Sequence, residues 1–218
     1  MGRSITMLQK HGIKKIFIVT GHQSEMLMSE LEDFSSNIET HYCFNENYKQ
    51  SGSMHSLFML QGFLEDDFLL LESDLLFEEE ALISILNEQT SDVLLISGKT
   101  NSGDEVWIYG DKNSGIESKG LIKKINKQVY KELETIGELT GISKISYELF
   151  RKMCDHHSKK VSFPNNFHYE ECISDLCDQH EIQYLKMKNL IWTEIDDPQH
   201  YKRAVDEIWP LLEKKYVP

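Results

Sequence analysis

Short apolar runs alternate with amphipathic stretches over the first hundred residues. The run at 15–20 (KIFIVT) is β-branched and almost wholly apolar, which is typical of a strand buried on both faces of a parallel sheet. Further buried strands are predicted at 41–44, 68–71 and 92–97. Helical spacing of apolar residues predicts helices at 4–11, 23–33, 54–63 and 78–88. Strand and helix therefore alternate, which predicts an α/β fold with a mostly parallel sheet and helices on its faces.

The second half of the chain breaks this alternation. Strands joined by turns are predicted at 106–109, 120–125 and 135–142. Helices are predicted at 145–156 and 169–180, and a strand at 182–187 and an apolar run at 190–195 precede a last helix near 198–214. The chain contains no internal repeat, low-complexity segment or linker, so residues 1–218 are predicted to form one domain with a mixed sheet.

Composition narrows the class of function. The 218 residues are 40% hydrophobic, enough for a full core, and carry a net charge of −13. Such a chain lacks the basic face of a general nucleic-acid binder, but it can still bind a nucleotide through Mg²⁺. The four cysteines form no CxxC pair, and the Cys and His residues of 154–177 match no standard zinc-finger spacing. We expect reduced thiols, a cytoplasmic location and no membrane insertion, because no apolar run is long enough to span a bilayer.

The sharpest local feature is the segment LLLESDLLFE at 69–78, in which a predicted strand runs into Asp74. Ligands of open α/β sheets bind beyond the carboxyl ends of the strands, where a carboxylate is a suitable ligand for Mg²⁺ bound to phosphates. A helix cap or a solvated turn is the competing interpretation.

A second acidic strand end occurs in IWTEIDDPQHY at 191–201. Alternation along a strand places Glu194 and Asp196 on one face, where they could complete a metal site with Asp74. Pro198 suits the first turn of a helix, and capping of that helix fits Asp197 better than Asp196.

Three weaker features could contact a ligand. The loop at 99–106 presents Asp104 and Glu105, which could bind a cationic group or form an ordinary polar turn. Tyr169 and Glu170 begin a helix and could form a cage for an amine. The small residues Ser51, Gly52 and Ser53 offer exposed backbone N–H groups ahead of a helix, where a base or phosphate could bind, although such a loop is also a common helix cap.

Seven segments in this order resemble the 2-aminoethylphosphonate cytidylyltransferases: HGIKKIFIVTGH, NENYKQSGSM, FLLLESDLLFE, LISGKTNSGDEV, GELTGISKIS, HYEECI and WTEIDDPQH. The phosphocholine cytidylyltransferases share a looser set. The resemblance extends from about residue 4 to 210, and NSGDEV and ESDLLFE are its most specific parts. It implies a GT-A-like (Rossmann-like) nucleotidyltransferase fold and the transfer of CMP from CTP to 2-aminoethylphosphonate, with release of pyrophosphate, in phosphonate biosynthesis.

The resemblance also implies roles for the residues singled out above. Asp74 and Asp196 would be the Mg²⁺ ligands, with Glu194 beside them at the catalytic centre. The nucleotide would lie against Ser51, Gly52 and Ser53. The amine end of the substrate would lie near Asp104, Glu105, Tyr169 and Glu170.

The chain departs from the family pattern at its N-terminus. Members of the family begin with a buried strand and a glycine-rich loop that carries an Arg and a Lys, and Met1 corresponds to a point beyond both. We therefore expect a fold that lacks its first strand and glycine-rich loop, with exposed strand edges, low stability and self-association into a homo-oligomer as one outcome. Phosphocholine transfer and a catalytically impaired nucleotide-binding remnant are the alternative functions, and a glycosyltransferase is disfavoured because Glu72-Ser73-Asp74 is not Asp-x-Asp.

Overall fold

A computed structural model of the chain describes residues 1–100, 103, 105–111, 117–128, 130–160, 162 and 164–216. The chain divides into two compact units. The first unit comprises Met1–Asp66 and Tyr147–Leu176, and the second comprises Asp67–Ser146 and Cys177–Pro218. The single domain expected from the sequence stays a prediction.

The elements are numbered in chain order. The helices are α1 (Gly2–Lys10), α2 (Ser24–Ser35), α3 (Ser53–Phe58), α4 (Glu79–Leu86), α5 (Tyr147–Lys160), α6 (Tyr169–Leu176), α7 (Pro198–Arg203) and α8 (Trp209–Tyr216), with a π-helical turn at Ala204–Ile208 between the last two. The strands are β1 (Lys15–Thr20), β2 (Glu39–Phe44), β3 (Phe68–Leu71), β4 (Leu75–Phe77), β5 (Val93–Ser97), β6 (Trp107–Gly110), β7 (Lys119–Leu121), β8 (Lys124–Asn126), β9 (Glu134–Ile145), β10 (Gln183–Met187) and β11 (Trp192–Glu194).

In the first unit, β1 and β2 form a parallel pair that runs from Lys15 opposite Glu39 to Thr20 opposite Phe44. Helices α1 and α2 bury Ile5 and Leu31 against this pair. The sequence predicted burial of β1 on both faces, but most of its residues are only half-buried. The reason is that β1 pairs with β2 alone among the described strands, so its other edge has no neighbour.

The rest of the first unit consists of α3, α5 and α6. His157 of α5 is 1% exposed, and its Nε2 lies 3.2 Å from Nδ1 of His55 on α3. The rings of Phe58 and Phe167 lie beside His157, with centroids 5.0 and 6.4 Å from its own. Burial lowers the pKa of both histidines, and the charges of His55 and His156 lower the pKa of His157 further.

In the second unit, seven strands form one mixed sheet. The order is β7-β10-β5-β9-β6-β8, and β3 pairs with the C-terminal half of β9, beside β6 on the same edge. The prediction of a mostly parallel sheet is wrong, because β10 with β5 is the one parallel ladder among the described strands of this sheet. The twelve-residue strand β9 is antiparallel to β3, β5 and β6, so these three strands share a direction but none of them pairs with another of the three.

Two expected strands of the second unit differ in detail. The segment 120–125 was predicted as one strand but forms β7 and β8, which pair with β10 and β6 respectively. The chain changes partners between them, since Ile122 N donates to Ile182 O and Lys123 N donates to Tyr109 O. Strand β3 was predicted to be buried but is half-buried, because among the described strands it pairs with β9 alone.

A short ladder outside the large sheet joins β4 to β11 in antiparallel register. The helical segment α7, the π-helical turn and α8 follow β11, where the sequence predicted one helix near 198–214. Helices α3, α4 and α6 are shorter than predicted, as is usual for boundaries set by tertiary contacts. No helix among the described residues is both long and apolar enough to traverse a lipid bilayer.

The histidine pair of the first unit predicts a pH-dependent stability. Because the folded state lowers both pKa values, the unfolded chain takes up protons more readily. The stabilisation is complete above the unfolded pKa of about 6.5 and is lost as pH falls through the lower folded values. We expect the urea midpoint of unfolding to fall between about pH 7 and pH 5, and to fall less steeply in His157→Gln. His22→Gln, which changes an exposed histidine, is the control, and equal slopes in all three proteins would contradict the prediction.

Candidate functional site

The ladder between β4 and β11 brings the two acidic segments of the second unit together. Leu75 of β4 lies opposite Glu194 of β11, so Asp74, which directly precedes Leu75, lies at the end of the ladder where β11 runs on to Asp196. The sequence placed Asp74 and Asp196 at strand ends and suggested that they could share a metal site. The pairing supplies a local structural cause for that proximity.

Asp74 is a half-buried carboxylate with one unsatisfied oxygen. Its Oδ1 is buried and has no hydrogen-bond partner. Burial raises the pKa of the Asp74 carboxyl, and the negative charge of Asp196 raises it further, while a backbone hydrogen bond opposes the shift. A buried oxygen that lacks a donor and faces a second carboxylate is suited to a cation, so Asp74 and Asp196 fit Mg²⁺ as oxygen ligands.

Glu194, Asp196 and His200 form the one group of three potential metal-ligand side chains among the described residues. One ligand atom of each lies within 4.8 Å of the others. The predicted proximity of Glu194 and Asp196 is thus present, although β11 ends at Glu194 and Asp196 lies beyond the strand. His200 was missed, although its position four residues after Asp196 and one turn into the predicted helix was a usable signal.

Asp197 has a structural role. As predicted, it caps α7: its Oδ1 accepts hydrogen bonds from Gln199 N at 2.7 Å and His200 N at 2.8 Å. The hydrogen bond from the backbone N–H of His200 is the main cause that lowers the pKa of Asp197. This cap fixes the start of α7 and with it the position of His200.

Glu78 positions the two acidic segments and was also missed. It is 3% exposed, and its Oε1 accepts a hydrogen bond from Ile191 N at 2.8 Å, while its own N donates to Ile191 O at 2.9 Å. Its other oxygen pairs with the Lys215 ammonium. Glu78 thus joins the end of β4 to the residue before β11 and to α8. The family resemblance contained Glu78 in ESDLLFE, but nothing in the local pattern indicated burial.

The loop expected to meet the amine lies elsewhere in the second unit. Asp104 lies outside the described residues, and Glu105 is half-buried. The buried Glu138 of β9 accepts hydrogen bonds from Thr100 N at 2.7 Å and Thr100 Oγ1 at 2.8 Å. Burial raises the pKa of Glu138, and the charge of Glu105 adds to the shift. The two glutamates therefore make this end of β9 electronegative, and Glu138 anchors the loop.

The expected nucleotide loop lies in the first unit and is occupied by the chain itself. Gly52 N donates to Asn165 O at 2.8 Å, and Met54 N donates to Phe167 O at 3.3 Å. The prediction of an exposed N–H group at this helix start is therefore wrong for Gly52. The cause is a contact between segments more than 100 residues apart, which no local pattern reveals. Ser51 Oγ accepts from Asn45 Nδ2 at 3.0 Å.

Ser53 connects α3 to α6. Its Oγ accepts a hydrogen bond from Tyr169 N at 3.1 Å and lies 3.3 Å from His168 Nδ1. Tyr169 is 3% exposed, so its ring is part of the core of the protein and not an open cage wall. Glu170, next to it, is half-buried. Burial of the Tyr169 ring therefore contradicts the prediction that this ring forms the wall of an amine cage.

Solved structures share this fold. The chain superimposes on the inositol-1-phosphate CTP transferase from T. maritima with a TM-score of 0.75 and 17% identity, covering 99% of this chain and 83% of that one. A UDP-glucose pyrophosphorylase in complex with UDP-glucose gives a TM-score of 0.74 and 12% identity, covering 96% and 86% of the two chains. At these identities the likeness shows the fold alone. The chain has the α/β nucleotidyltransferase-like fold, with a mixed central sheet flanked by helices.

Several curated proteins are similar in sequence to part of the chain. The chain is 27% identical over 146 residues to the bifunctional protein GlmU of Methanococcus maripaludis strain C5, which covers 67% of this chain and 32% of that protein. It is 26% identical over 136 residues to the bifunctional protein GlmU of Methanococcus vannielii, covering 58% and 31%. The chain therefore spans about a third of the length of these relatives. No protein-family model matches it.

We expect removal of the desolvated Asp74 carboxylate to stabilise the protein. The folded state raises the pKa of Asp74, so folding favours the protonated carboxyl. This contribution to the free energy of unfolding is fully present below the unfolded pKa and is lost as pH rises through the folded pKa. At neutral pH, Asp74→Asn should raise the free energy of unfolding of the ligand-free chain by about 0.5–2 kcal/mol. Urea unfolding at about pH 7 and pH 4 measures this, and the gain should shrink at the lower pH. A loss of stability at neutral pH would show that the carboxylate is satisfied.

The close contact between the backbones of Gly52 and Phe167 predicts a loss of stability when Gly52 is replaced by a larger residue. A Cβ on Gly52 would lie 2.3 Å from Phe167 O, and the hydrogen bond from Gly52 N to Asn165 O holds this backbone in place. Gly52→Ala should therefore destabilise the chain by about 1–3 kcal/mol, as overpacked sites do. Thermal unfolding measures the loss. Gly62→Ala is a control at an open but positive-φ position, where only backbone strain acts. An equal or larger loss at Gly62 would contradict the packing argument.

Proposed function

We propose that the chain is a nucleotidyltransferase that transfers CMP from CTP to 2-aminoethylphosphonate and releases pyrophosphate. The observation that carries this proposal is the pairing of β4 with β11, which brings Asp74, whose Oδ1 is buried without a hydrogen-bond partner, near Asp196. Two carboxylates so placed suit the metal-assisted chemistry of phosphoryl groups. The nucleotidyltransferase-like fold supports the same class of reaction.

The proposed reaction needs positioning and charge neutralisation. An oxygen of the phosphonate attacks the α-phosphorus of CTP and forms the new P–O bond. The bond from the α-phosphorus to the oxygen bridging to the β-phosphate breaks, and pyrophosphate leaves with that electron pair. The attacking oxygen is already ionised near neutral pH, so no side chain has to remove a proton.

Asp74 and Asp196 are the residues that would hold Mg²⁺, with Glu194 beside them. The ion, when bound, would neutralise charge on the phosphate oxygens. The chain's own contribution is to hold the carboxylates rigidly. Glu78 fixes β4 against the residue before β11, and the cap by Asp197 fixes the start of α7.

The choice of substrate rests on the resemblance and on the charge near β9. Burial is the main cause that raises the pKa of Glu138, the charge of Glu105 adds to the rise, and the charge of Arg203 opposes it. We assign the cationic end of the substrate to this pair of glutamates. An ammonium group of 2-aminoethylphosphonate would be stabilised there, with Asp104 in the same loop. Tyr169 and Glu170 remain weaker candidates, since the Tyr169 ring is buried. The nucleotide is assigned to Ser51, Gly52 and Ser53 by the resemblance, and the name of the T. maritima CTP transferase favours CTP as donor.

The test is pyrophosphate release from CTP, 2-aminoethylphosphonate and Mg²⁺, using the whole chain. We expect release that falls by about 10²-fold or more in Asp74→Asn, because an electrostatic contact to the reacting phosphates is lost. Asp66→Asn removes an exposed aspartate of the first unit and should leave the rate unchanged.

Replacement of the acceptor completes the experiment. Faster turnover with phosphocholine would overturn the choice of substrate but keep the reaction class. Release that is equal in the wild type and Asp74→Asn would refute the role of the carboxylates. Nucleotide binding without release for either acceptor would refute the enzyme proposal and favour a nucleotide-binding remnant.

A further inference from the structure

His200 lies beside the acidic segment of the second unit. It is only 9% exposed, whereas the Asp196 side chain is 47% exposed. Its Nδ1 lies 3.6 Å from Asp196 Oδ2 and 3.5 Å from Asp196 N. Asp197 caps α7 and accepts a 2.8 Å hydrogen bond from His200 N. This bond holds the His200 backbone, while the contacts with Asp196 hold its ring.

Both contacts of Nδ1 are long for hydrogen bonds, which normally have donor–acceptor distances of about 2.7–3.2 Å. Nδ1 has a single lone pair, and its 3.5 Å contact with Asp196 N is weak enough for a metal ion to replace. The nitrogen is directed at the side of the helix start where the carboxylates of Glu194 and Asp196 lie. The group therefore combines two oxygen ligands with one nitrogen ligand, the imidazole of His200.

We infer that His200, Glu194 and Asp196 form a three-ligand site for a divalent transition ion of the manganese class. The inference rests on the proposed function in that the same acidic segment would serve the nucleotide, and it adds both a ligand and a preference among metals. The imidazole is the new element, because the resemblance assigned only carboxylates to the metal.

The spacing of the ligand atoms is compatible with one ion. Nitrogen and oxygen ligands lie about 2.0–2.2 Å from a first-row metal, so two ligand atoms on one ion are separated by at most about 4.4 Å. Only one pair of the three atoms can lie on opposite sides of the ion, and ligand atoms at right angles on it are about 3 Å apart. The three atoms lie within 4.8 Å of one another, so metal binding requires them to move closer together by up to about 2 Å. The partly exposed side chains of Glu194 and Asp196 can make this change by rotation about their side-chain bonds.

The imidazole determines which ion is preferred. Mg²⁺ favours oxygen ligands and releases its water reluctantly, whereas ions later in the first-row series bind imidazole increasingly well. Two carboxylates with one imidazole should therefore bind Mn²⁺ more tightly than Mg²⁺. Removal of the imidazole should lower the affinity for Mn²⁺ more than the affinity for Mg²⁺, whereas removal of a carboxylate should weaken both.

The competing interpretation is that His200 only supports the helix start, by accepting from Asp196 N. His200→Gln separates the two roles. Glutamine at this position of a helix can still reach back to a backbone N–H, as in a capping box, but it carries no imidazole. Glu194→Gln is the second variant, since it removes a carboxylate and leaves the helix start unchanged.

The experiment titrates the whole chain with Mn²⁺, without nucleotide, and follows the free ion by electron paramagnetic resonance. Mg²⁺ affinity is obtained by competition. We expect His200→Gln to weaken Mn²⁺ binding by about tenfold or more, with a smaller change for Mg²⁺. Glu194→Gln should weaken both ions and keep their ratio closer to that of the wild type. Pulsed spectra of bound Mn²⁺ should show nitrogen coupling that is lost in His200→Gln and kept in His22→Gln.

Three outcomes overturn the inference: an unchanged Mn²⁺-to-Mg²⁺ ratio in His200→Gln, no nitrogen coupling in the wild type, or equal coupling in wild type and His200→Gln. Thermal unfolding of each variant checks that the fold is intact. Because these readouts need neither CTP nor acceptor, they are independent of pyrophosphate release. Metal selectivity without turnover would refute the proposed function alone, and turnover without selectivity would refute the inference alone.

Discussion

The pairing of β4 with β11 is the constraint on which the acidic site depends. Three residue pairs in antiparallel register are a short ladder, and short ladders are weak unless other contacts support them. Glu78 supplies this support: its backbone N and its carboxylate both bond to Ile191, and Lys215 neutralises it. A buried, paired glutamate thus holds in place two aspartates that repel each other.

The surroundings of Asp74 are unfavourable for a negatively charged side chain. Asp74 loses water, gains no hydrogen bond at Oδ1 and meets the charge of Asp196. In a region without function, selection for stability would favour an amide or an apolar residue there. Rigid support from elsewhere maintains the arrangement, because the short ladder and the capped helix do not depend on the titration of Asp74.

The sequence predicted those features that depend on local pattern. The apolar runs located β1, β3 and β5 almost to the residue, and the order Asp197-Pro198 predicted the capped helix start. Features that depend on distant contacts were missed. The antiparallel insertion of β9 between β5 and β3 has no local signature, and the hydrogen bond from Gly52 N to Asn165 O joins segments far apart in the chain. Burial of Tyr169 is of the same kind.

The two aspartates Asp74 and Asp197 show why position at a strand end does not by itself identify a site. Asp197 is exposed and accepts hydrogen bonds from two backbone N–H groups. The hydrogen bond from His200 N–H is the main cause that lowers the pKa of Asp197. Asp74 is desolvated next to another negative charge, which raises its pKa. The first carboxylate is already satisfied by the protein, so it has little to gain from a ligand. The second gains most when a cation binds, and this difference, which residue type and spacing cannot express, is the reason we propose Asp74 as a metal ligand.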